Sequence, residues 1–315
     1  MNKNNSAGAV RPDTLLIFER PELYFFPALS PFVCPAFGVP RRSLRYLIYK
    51  VLYVLHLPGT HLFWGSWTKQ LTKAKRVIIF DYGYQRGMEH YIHHVNPDCE
   101  VLLFFWNLIT PGRINHRLFS DKRAIYSTDP GDCARYGFHY NSIFYTRQYY
   151  RSPKEQTNRL FFIGQDKGRA RALLALKRIL TRAGVFCDIR IVSGDKRPSG
   201  IRSLGELYTP RRLSYDEYLE TVEDCDILLD FNQKGQQALT MRVMEAIFLS
   251  KKLITNNAAI QGYDFYNKNN ILLLPENPED LTPEAVRAFL EKPFLPYSDE
   301  LLCYYDFAAW KERFD

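Results

Sequence analysis

Short, unbroken apolar runs alternate with amphipathic segments along most of this chain, and this alternation constrains the fold most strongly. The runs are TLLIF at 14–18, VIIFD at 77–81, EVLLFFW at 100–106, LFFI at 160–163 and DILLDF at 226–231. Short runs rich in aliphatic and aromatic residues are typical of strands buried on both faces. Because helical segments separate them, the sequence predicts an α/β fold with parallel sheets.

The length of the chain and one polar segment predict two domains. Its 315 residues exceed a single core of ordinary size. The segment RQYYRSPKEQTN at 147–158 is polar and contains a proline, as linkers often do. We therefore expect two tandem Rossmann-like domains, residues 1–150 and residues 151–315, with the last helix a candidate to cross back to the first domain.

Net charge and cysteine usage narrow the partners and the compartment. The formal net charge is +8 and the pI is about 9.1, which favour an anionic partner such as phosphate, nucleotide, nucleic acid or an acidic membrane face. The six cysteines form no CxxC pair, as expected in a reducing compartment. The N-terminal MNKNNSAGAVRPD lacks the apolar core of a secretory signal, so we expect a cytoplasmic protein.

The longest apolar candidate is RRSLRYLIYKVLYVLHLPG, residues 41–59. Basic residues interrupt it, and it is shorter than the about 20 apolar residues that a membrane-spanning helix needs. Two interpretations stay open. Either the segment is a core helix with a solvated basic edge, or residues 41–67 lie on an anionic bilayer surface at the inner face of the membrane.

The loop GQDKGR, Gly164 to Arg169, joins the strand LFFI to an amphipathic helix. Gly164 and Gly168 let the backbone turn tightly and approach a ligand, and Lys167 and Arg169 add cations beside a helix N-terminus. These features suit a phosphate or diphosphate, although the Walker pattern GxxxxGK[ST] is absent. The alternative is a solvated turn whose basic side chains face water.

A second loop, NQKGQQAL at 232–239, leads into a helix for which Thr240 is the expected N-cap. Its amide side chains, Gln236 among them, offer hydrogen bonds to a ligand. Arg242 lies in the first helical turn, where a cation is unfavourable unless it faces an anion. Glu245 follows among apolar neighbours and needs a partner. Ligand hydroxyls, and a salt bridge to Arg242 or another basic residue, both stay open for that carboxylate.

The first half of the chain offers candidates for a general base. Asp81 ends the strand VIIFD, and Glu89 and His90 follow shortly after it. Carboxylates and imidazoles are the usual proton acceptors in catalysis. An ordinary surface βα loop is the alternative. The adjacent His93 and His94 have no second ligand motif with them, so we expect no metal site.

Three stretches together resemble the C-terminal domain of GT-B glycosyltransferases: LSYDEYLETVEDCDILLDF, QQALTMRVMEAIFLSKKLITNN and YDFYNKNNILLL. The likeness is nearest to bacterial enzymes of lipopolysaccharide and capsule assembly, in which a QxGLTxRxxEAL-like helix precedes a K(L/P)(I/V)TT strand. DPGDCARYG at 129–137 is similar to the segment that ends the N-terminal domain of such enzymes. The likeness spans roughly residues 75–275 and is strongest at 214–274.

This resemblance implies two Rossmann-like domains facing a cleft, the second binding a nucleotide-sugar donor and the first binding the acceptor. Glu245 resembles the acid that hydrogen-bonds the nucleotide ribose, and the residues from Gln236 to Arg242 would face the diphosphate or the sugar. Lys167 and Arg169 resemble the basic pair that neutralises the leaving phosphate. Retaining members carry ExxxxxxxE, and here Gln237 takes the place of the first acid. Inverting and retaining chemistry therefore both stay open.

The resulting prediction is a metal-independent glycosyltransferase with no permanently bound cofactor. It would move a sugar from a nucleotide-activated donor to a cell-envelope glycan or lipid-linked acceptor. The alternative is a GT-B-like protein that binds a glycan or a partner and has lost turnover, which the missing acid favours. Nucleic-acid binding is not expected, because the basic residues are dispersed and no recognised binding module is present.

Overall fold

The computed structural model describes residues 13–21, 26–30, 32–109, 119, 121–192, 202–232 and 238–314. The chain divides into two compact units, Met1–Tyr140 and Asn141–Asp315, and each is described by itself. Gln236, a predicted ligand contact, lies outside the described residues, as does Gln237.

The described part of the first unit contains a six-stranded sheet in which every pair of neighbouring strands is parallel. Its strands are β1 (Thr14–Phe18), β2 (Val33–Pro35), β3 (Arg76–Phe80), β4 (Glu100–Phe105), β5 (Ile125–Ser127) and β6 (His139–Tyr140), in the order β2-β1-β3-β4-β5-β6. The helices are α1 (Leu44–Val54), α2 (Met88–Val95) and α3 (Pro130–Tyr136). Strands β1, β3 and β4 are buried almost throughout, as their unbroken apolar sequences predict.

The described part of the second unit also contains a six-stranded parallel sheet. Its strands are β7 (Arg159–Gln165), β8 (Phe186–Val192), β9 (Tyr208–Thr209), β10 (Ile227–Asp230), β11 (Lys252–Thr255) and β12 (Ile271–Leu273). The helices are α4 (Ala170–Arg182), α5 (Tyr215–Glu223), α6 (Met241–Phe248), α7 (Pro283–Leu290), α8 (Asp299–Tyr305) and α9 (Phe307–Trp310). The strand order is β12-β11-β10-β7-β8-β9, which counted within the unit is the 3-2-1-4-5-6 order of the Rossmann fold. The predicted α/β class with parallel sheets is confirmed.

Local sequence signals set several helix ends in the second unit. The Ser214 hydroxyl accepts from Glu217 N, and the Glu217 carboxylate accepts from Ser214 N, so these residues form a capping box at the start of α5. Helix α4 ends before Gly184, which has a φ of +92° that favours glycine. The end of the chain forms two short helices, α8 and α9, where the sequence over residues 304–314 favours a single one. The two helices are separated at Asp306, which is the N-cap of α9 and whose carboxylate accepts from Ala308 N.

Residues just after the division pack with the end of the chain inside the second unit. The Phe144 ring stacks on Trp310 with centroids 4.0 Å apart, and Trp310 Nε1 donates to Ser142 O at 2.8 Å. Tyr145 N donates to Tyr305 O at 2.9 Å. These contacts place the division after Tyr140, ahead of the polar segment at 147–158.

The apolar run at 41–59 forms α1, whose 11 residues are partly buried. Its tyrosine-bearing side packs on the first unit, with Tyr49 buried, whereas most of its aliphatic side chains are exposed. The core-helix interpretation is therefore correct for only one side of this helix. None of the helices in the described ranges has both the length and the apolar character needed to cross a bilayer.

Candidate functional site

The strand order of the second unit locates a crevice. In a 3-2-1-4-5-6 sheet the connections leave in opposite directions from the two central strands, and ligands bind beyond the carboxyl ends of those strands. Here the central strands are β7 and β10, which end at Gln165 and Asp230. Both loops singled out in the sequence, Gly164–Arg169 and 232–239, begin at this edge.

The Gly164–Arg169 loop is a tight turn with two consecutive residues at positive φ. Lys167 has a φ of +48° and Gly168 a φ of +80°, and Arg169 N donates to Asp166 O at 3.0 Å across the turn. This is the pattern of a type I′ turn, in which glycine is favoured. The Asp166 carboxylate accepts from Ala170 N at 3.1 Å, which satisfies one free N–H group at the start of α4. The loop is held in place by its own backbone and by Asp166.

Two arginines, Arg169 of the first loop and Arg242 in the first turn of α6, meet on one aromatic ring. The guanidinium carbons of Arg169 and Arg242 each lie 4.9 Å from the centroid of Phe162. Arg169 donates to Gln165 O at 3.2 Å and also to Phe231 O, and Arg242 donates to Ile163 O at 2.7 Å. These hydrogen bonds go to main-chain carbonyls at the ends of β7 and β10. The carbonyls and the ring fix the position of both cations.

The arginine pair keeps a hydrogen-bond donor without a partner in the described part of the chain, although Asp230 and Glu245 offset part of the charge of Arg242. Arg242 Nε is buried and has no hydrogen-bond partner among the described residues. Burial, together with the nearby charge of Arg242, lowers the pKa of Arg169 to about 10, against the raising effect of Asp230 and Asp166. Two like charges that share one ring repel each other, so a bound anion would relieve both the repulsion and the unpaired donor.

Asp230 sits under the arginine pair at the end of β10. This buried carboxylate accepts from Thr240 Oγ1 at 2.8 Å and from Thr255 Oγ1 at 2.9 Å. Burial raises its pKa, and Arg242 together with these hydroxyls lowers it. Thr240 stands at the N-cap position of α6, but its hydroxyl donates to Asp230 and accepts no capping hydrogen bond from the helix. The first free N–H groups of α6 therefore keep no partner from the Thr240 side chain.

Asparagines complete the polar edge at β10 and β11. Asn232 N donates to Asn256 Oδ1 at 2.7 Å, and Asn256 Nδ2 donates to Asn232 O at 3.1 Å, which ties the ends of the two strands together. Asn232 is buried, and its side-chain nitrogen has no hydrogen-bond partner among the described residues. It is a second buried donor without a partner at the same edge as Arg242.

Glu245 has partners that neither sequence-based interpretation named. Its carboxylate accepts from Tyr218 Oη at 2.5 Å and from Tyr215 Oη at 3.2 Å, and Tyr215 in turn shares a short hydrogen bond with Tyr145. Burial raises the pKa of Glu245, while Arg242 and the two tyrosines lower it. The two phenols explain how an acid is accommodated in an apolar helix. The ribose contact stays a prediction.

In the first unit, Asp81 lies at the carboxyl end of β3 in a position that most residues avoid, with a φ of +29°. Its carboxylate accepts from Trp106 N and from Asn107 Nδ2, both at 2.7 Å, and so joins the ends of β3 and β4. Gly83, two residues later, lies against the backbone of β1, and a Cβ there would be only 2.9 Å from Ile17 O. Burial raises the pKa of Asp81 to about 7, against the lowering effect of its donors. That value suits a general base, whereas the donors that surround it suit a structural role.

Glu89 is the second buried acid of this region. It lies in the first turn of α2 and accepts from Tyr84 Oη at 3.0 Å. Burial raises the pKa of Tyr84, and the charge of Glu89 raises it further. Tyr84 thus stays a neutral donor to Glu89. His90 is exposed on the same helix.

The structure brings most of the predicted ligand contacts of the second unit to one edge: Gly164, Lys167, Gly168, Arg169, Thr240 and Arg242. Sequence reasoning counted Asn232 among the amides of the second loop, but it did not identify Phe162, Asp230 or the tyrosines of α5 as parts of this arrangement. Asp230 and Asn256 stand where DILLDF and KLIT end, so the rule that parallel strands bind ligands at their carboxyl ends could have found them. Nothing in the run LFFI indicates that the Phe162 ring carries two cations.

A cavity at the opposite, amino ends of β7 and β10 has a different character. It is lined by Arg151, Lys154, Glu223 and Lys251, among others. Arg151 and Lys154 both pair with Glu223, and Lys251 donates to Cys225 O. The charged groups there satisfy one another, so we place the candidate site at the carboxyl edge. No group of three or more His, Cys, Asp or Glu side chains in the described ranges is arranged to hold a metal ion.

The chain matches no protein-family model, and no curated protein sequence matches it significantly. The candidate site therefore rests on the strand order of the second unit and on the chemistry of its carboxyl edge.

Proposed function

We propose that the second unit binds the diphosphate of a nucleotide sugar at the arginine pair, and that the protein is a glycosyltransferase of the GT-B type. The acceptor would be a cell-envelope glycan or a lipid-linked glycan. The observation that carries this proposal is the Phe162 ring shared by Arg169 and Arg242, with Arg242 Nε left unpaired at the carboxyl edge of the central strands.

A diphosphate suits these groups because planar guanidinium groups form charge-assisted hydrogen bonds to phosphate oxygens. The Asn232 amide and the N-terminal end of α6 supply further donors at the same edge. Gly168 and Lys167 hold the turn that carries Arg169 at the N-terminal end of α4. Glu245, through the resemblance, would hydrogen-bond the ribose.

The chemistry proposed for this site is displacement at the anomeric carbon of the sugar. The bond from that carbon to the diphosphate breaks, and a bond to an acceptor oxygen forms. The leaving nucleoside diphosphate gains negative charge in the transition state, and fixed arginines stabilise that charge without reorganising. The proton of the acceptor hydroxyl passes to a base. Asp81 and Glu89 of the first unit are the candidates if the reaction inverts configuration.

Thermal-shift measurements against a panel of nucleotide sugars test donor binding. A ligand that binds the folded protein alone raises its melting temperature, and we expect one donor to do so. Arg169→Ala should abolish most of that rise, because the loss of charged hydrogen bonds weakens binding about tenfold or more. Arg178→Ala, an exposed position on α4, is the matched control and should keep the rise. If no nucleotide or nucleotide sugar stabilises the wild-type chain, the donor site is wrong.

Turnover separates an enzyme from a GT-B-like binding protein. When the wild-type chain is given the stabilising donor and an extract of cell-envelope glycans, it should release free nucleoside diphosphate. If the reaction inverts configuration, Asp81→Asn or Glu89→Gln should slow this release without changing the affinity for the donor. Donor binding without release in the presence or absence of acceptors would favour the non-catalytic alternative.

A further inference from the structure

Helix α1 carries an aliphatic face that is open to solvent. Its exposed side chains are Leu44, Leu47, Ile48, Val51 and Val54, with exposed fractions that reach 72% for Leu44 and 71% for Val54. At about 100° per residue these positions share one side of the helix. Isolated exposed aliphatic residues are common, but a contiguous exposed row is a mark of an interaction surface.

The opposite side of α1 is fixed to the first unit, so this row is not the result of a loosely placed helix. The Tyr49 ring is buried and packs edge-on against Phe37 with centroids 5.0 Å apart, and Tyr49 Oη donates to Gln85 Oε1 at 2.5 Å. Arg86 donates to Tyr53 O at 2.9 Å and lies over the Tyr53 ring. Tyrosines thus face inward and aliphatic residues face outward.

The segment after the helix extends the apolar surface. Leu55, Leu57 and Leu62 are also exposed, and Leu62 is 69% exposed. The turn Thr60–Phe63 packs against α1. At Gly59, an added Cβ would lie 3.9 Å from both Leu52 Cδ1 and Leu62 Cδ1, so the turn and the helix are adjacent there. We call Leu44–Leu62 with its exposed aliphatic side chains the apolar ridge.

Positive charge borders the apolar ridge, and no acid lies within it. Residues 23–80 contain eight Lys and Arg residues and no Asp or Glu. The whole chain has a formal net charge of +8, so the remaining residues are neutral in sum. Basic residues occur throughout the chain, but the excess of basic over acidic residues equals that of residues 23–80 alone. The net positive charge is therefore concentrated in this segment, although the basic residues themselves are dispersed. Arg42, Arg45 and Lys50 are exposed beside the ridge.

We propose that the apolar ridge docks on an anionic lipid bilayer, with α1 lying in the plane of the surface. The aliphatic side chains would enter the boundary between headgroups and acyl chains, and the bordering cations would face anionic headgroups. An 11-residue helix fits this surface arrangement, because a span needs about 20 residues. This surface belongs to the first unit and does not depend on the proposed donor site.

A second copy of the chain fits the same surface less well. A two-fold contact would set each ridge against another and bring the bordering cations of both copies together. With no acid between residues 23 and 80, nothing in this segment would offset that repulsion. An anionic bilayer supplies the opposite charge.

Vesicle co-sedimentation of the full chain tests the proposal, with phosphatidylcholine vesicles and mixed phosphatidylcholine–phosphatidylglycerol vesicles. The apolar variant is Leu44→Gln/Leu47→Gln/Val51→Gln, since Gln keeps helix propensity while removing the aliphatic surface. The charge variant is Arg42→Gln/Arg45→Gln/Lys50→Gln. Phe186→Gln in the second unit is the matched control, because Phe186 is exposed to 72%, as Leu44 is.

The wild-type chain and Phe186→Gln should bind the mixed vesicles, and binding should weaken as salt is added. Each triple variant should bind them about tenfold less tightly or worse. Hydrogen exchange of the wild-type chain needs no variant and should slow over residues 55–62 when mixed vesicles are added. The proposal is overturned if the wild-type chain does not bind mixed vesicles, or if the apolar variant binds them as tightly as the wild-type chain does. A wild-type dimer that the apolar variant dissolves, without vesicle binding, would assign the ridge to a second copy.

Discussion

At Gly164 the backbone runs so close to the arginine pair that a side chain does not fit without movement. A Cβ there would lie 2.7 Å from Arg169 Nη2 and 3.2 Å from Cζ of Phe162. Real Cβ atoms are not found at the first distance, and the guanidinium group is the part that can move away. Gly164 therefore lets Arg169 reach Phe162 and Phe231 O.

Replacing Gly164 with Ala should displace the Arg169 guanidinium and leave the fold in place. We expect nucleoside diphosphate affinity to fall about tenfold, as for the loss of a charged hydrogen bond, with a small change in melting temperature. Calorimetric titration beside thermal unfolding measures both. Gly262→Ala is the control, since nothing lies within 4 Å of a Cβ there. Equal affinity in Gly164→Ala and the wild-type chain would remove Arg169 from the site.

Asp81 combines two opposing influences on one carboxyl group. Burial raises its pKa to about 7, and main-chain and side-chain donors from Trp106 and Asn107 lower it. In the unfolded chain an aspartate titrates near pH 4. Between about pH 4 and pH 7 the folded chain therefore binds a proton that the unfolded chain does not, and its stability falls as pH rises through this window.

Urea unfolding from pH 4 to pH 8 tests this sign, with Asp81→Asn as the variant that cannot titrate and still tolerates a positive φ. The free energy of unfolding of the wild-type chain minus that of the variant should fall by up to about 4 kcal/mol across the window and then level off. A difference that is flat, or that rises with pH, would mean that the donors outweigh burial and hold Asp81 ionised.

At the scale of elements, a buried lysine of β11 terminates α7. Lys252 is 2% exposed, and its Nζ donates to Phe289 O at 2.8 Å, Leu290 O at 3.1 Å and Lys292 O at 2.6 Å. These carbonyls lie at and just beyond the C-terminal end of α7, where the helix dipole attracts a cation, and Phe289 O also accepts from Lys292 N at 3.3 Å. One side chain thus joins the sheet to the end of a helix.

Lys252→Met keeps the apolar stem but removes the buried side-chain donor from all three carbonyls. We expect the second unit to lose about 2–3 kcal/mol of unfolding free energy. Chemical denaturation monitored by circular dichroism measures the loss. Lys268→Met, an exposed position in the same unit, should change stability little. A loss no larger than that of Lys268→Met would contradict the capping role.

The last two helices close the second unit through one tryptophan. Trp310 is fully buried and stacks on Phe144, which belongs to the segment that opens this unit. Trp310→Ala should destabilise the second unit by about 3–5 kcal/mol, since it leaves a large cavity. Phe186→Ala at an exposed aromatic should be near neutral, and thermal unfolding compares the two. A near-neutral Trp310→Ala would show that the C-terminal helices add little to the unit.

At the scale of the whole molecule, the sequence predicts the sheets better than their order. Runs such as VIIFD and DILLDF identify central strands because burial on both faces leaves no polar alternation. Short edge strands leave a weaker trace. Val33–Pro35 forms β2 within a proline-rich passage that reads as irregular, because three residues are too few to show a period.

The sequence predicts which loops form the candidate site, but it does not predict which side chains contact one another there. Glycines and cations mark Gly164–Arg169, since their backbone and charge requirements are local. The Phe162 ring, Asp230 and the Tyr218 hydroxyl on Glu245 come from other elements and meet only when the sheet forms. The same holds for α1: its composition indicates amphipathic character, but only the folded unit shows that tyrosines face inward.

The most direct measurement is calorimetric titration of the wild-type chain with UDP, GDP, CDP, ADP and TDP beside the matched nucleosides. One diphosphate should bind at least about tenfold more tightly than its nucleoside, because the arginine pair contacts phosphate. Arg169→Lys and Arg242→Lys keep the charge and lose the planar fork, so each should weaken that diphosphate about tenfold, whereas Arg178→Lys should not. Equal affinity for each diphosphate and its nucleoside would contradict a diphosphate site at the Phe162 arginine pair. So would an affinity that both lysine variants leave unchanged.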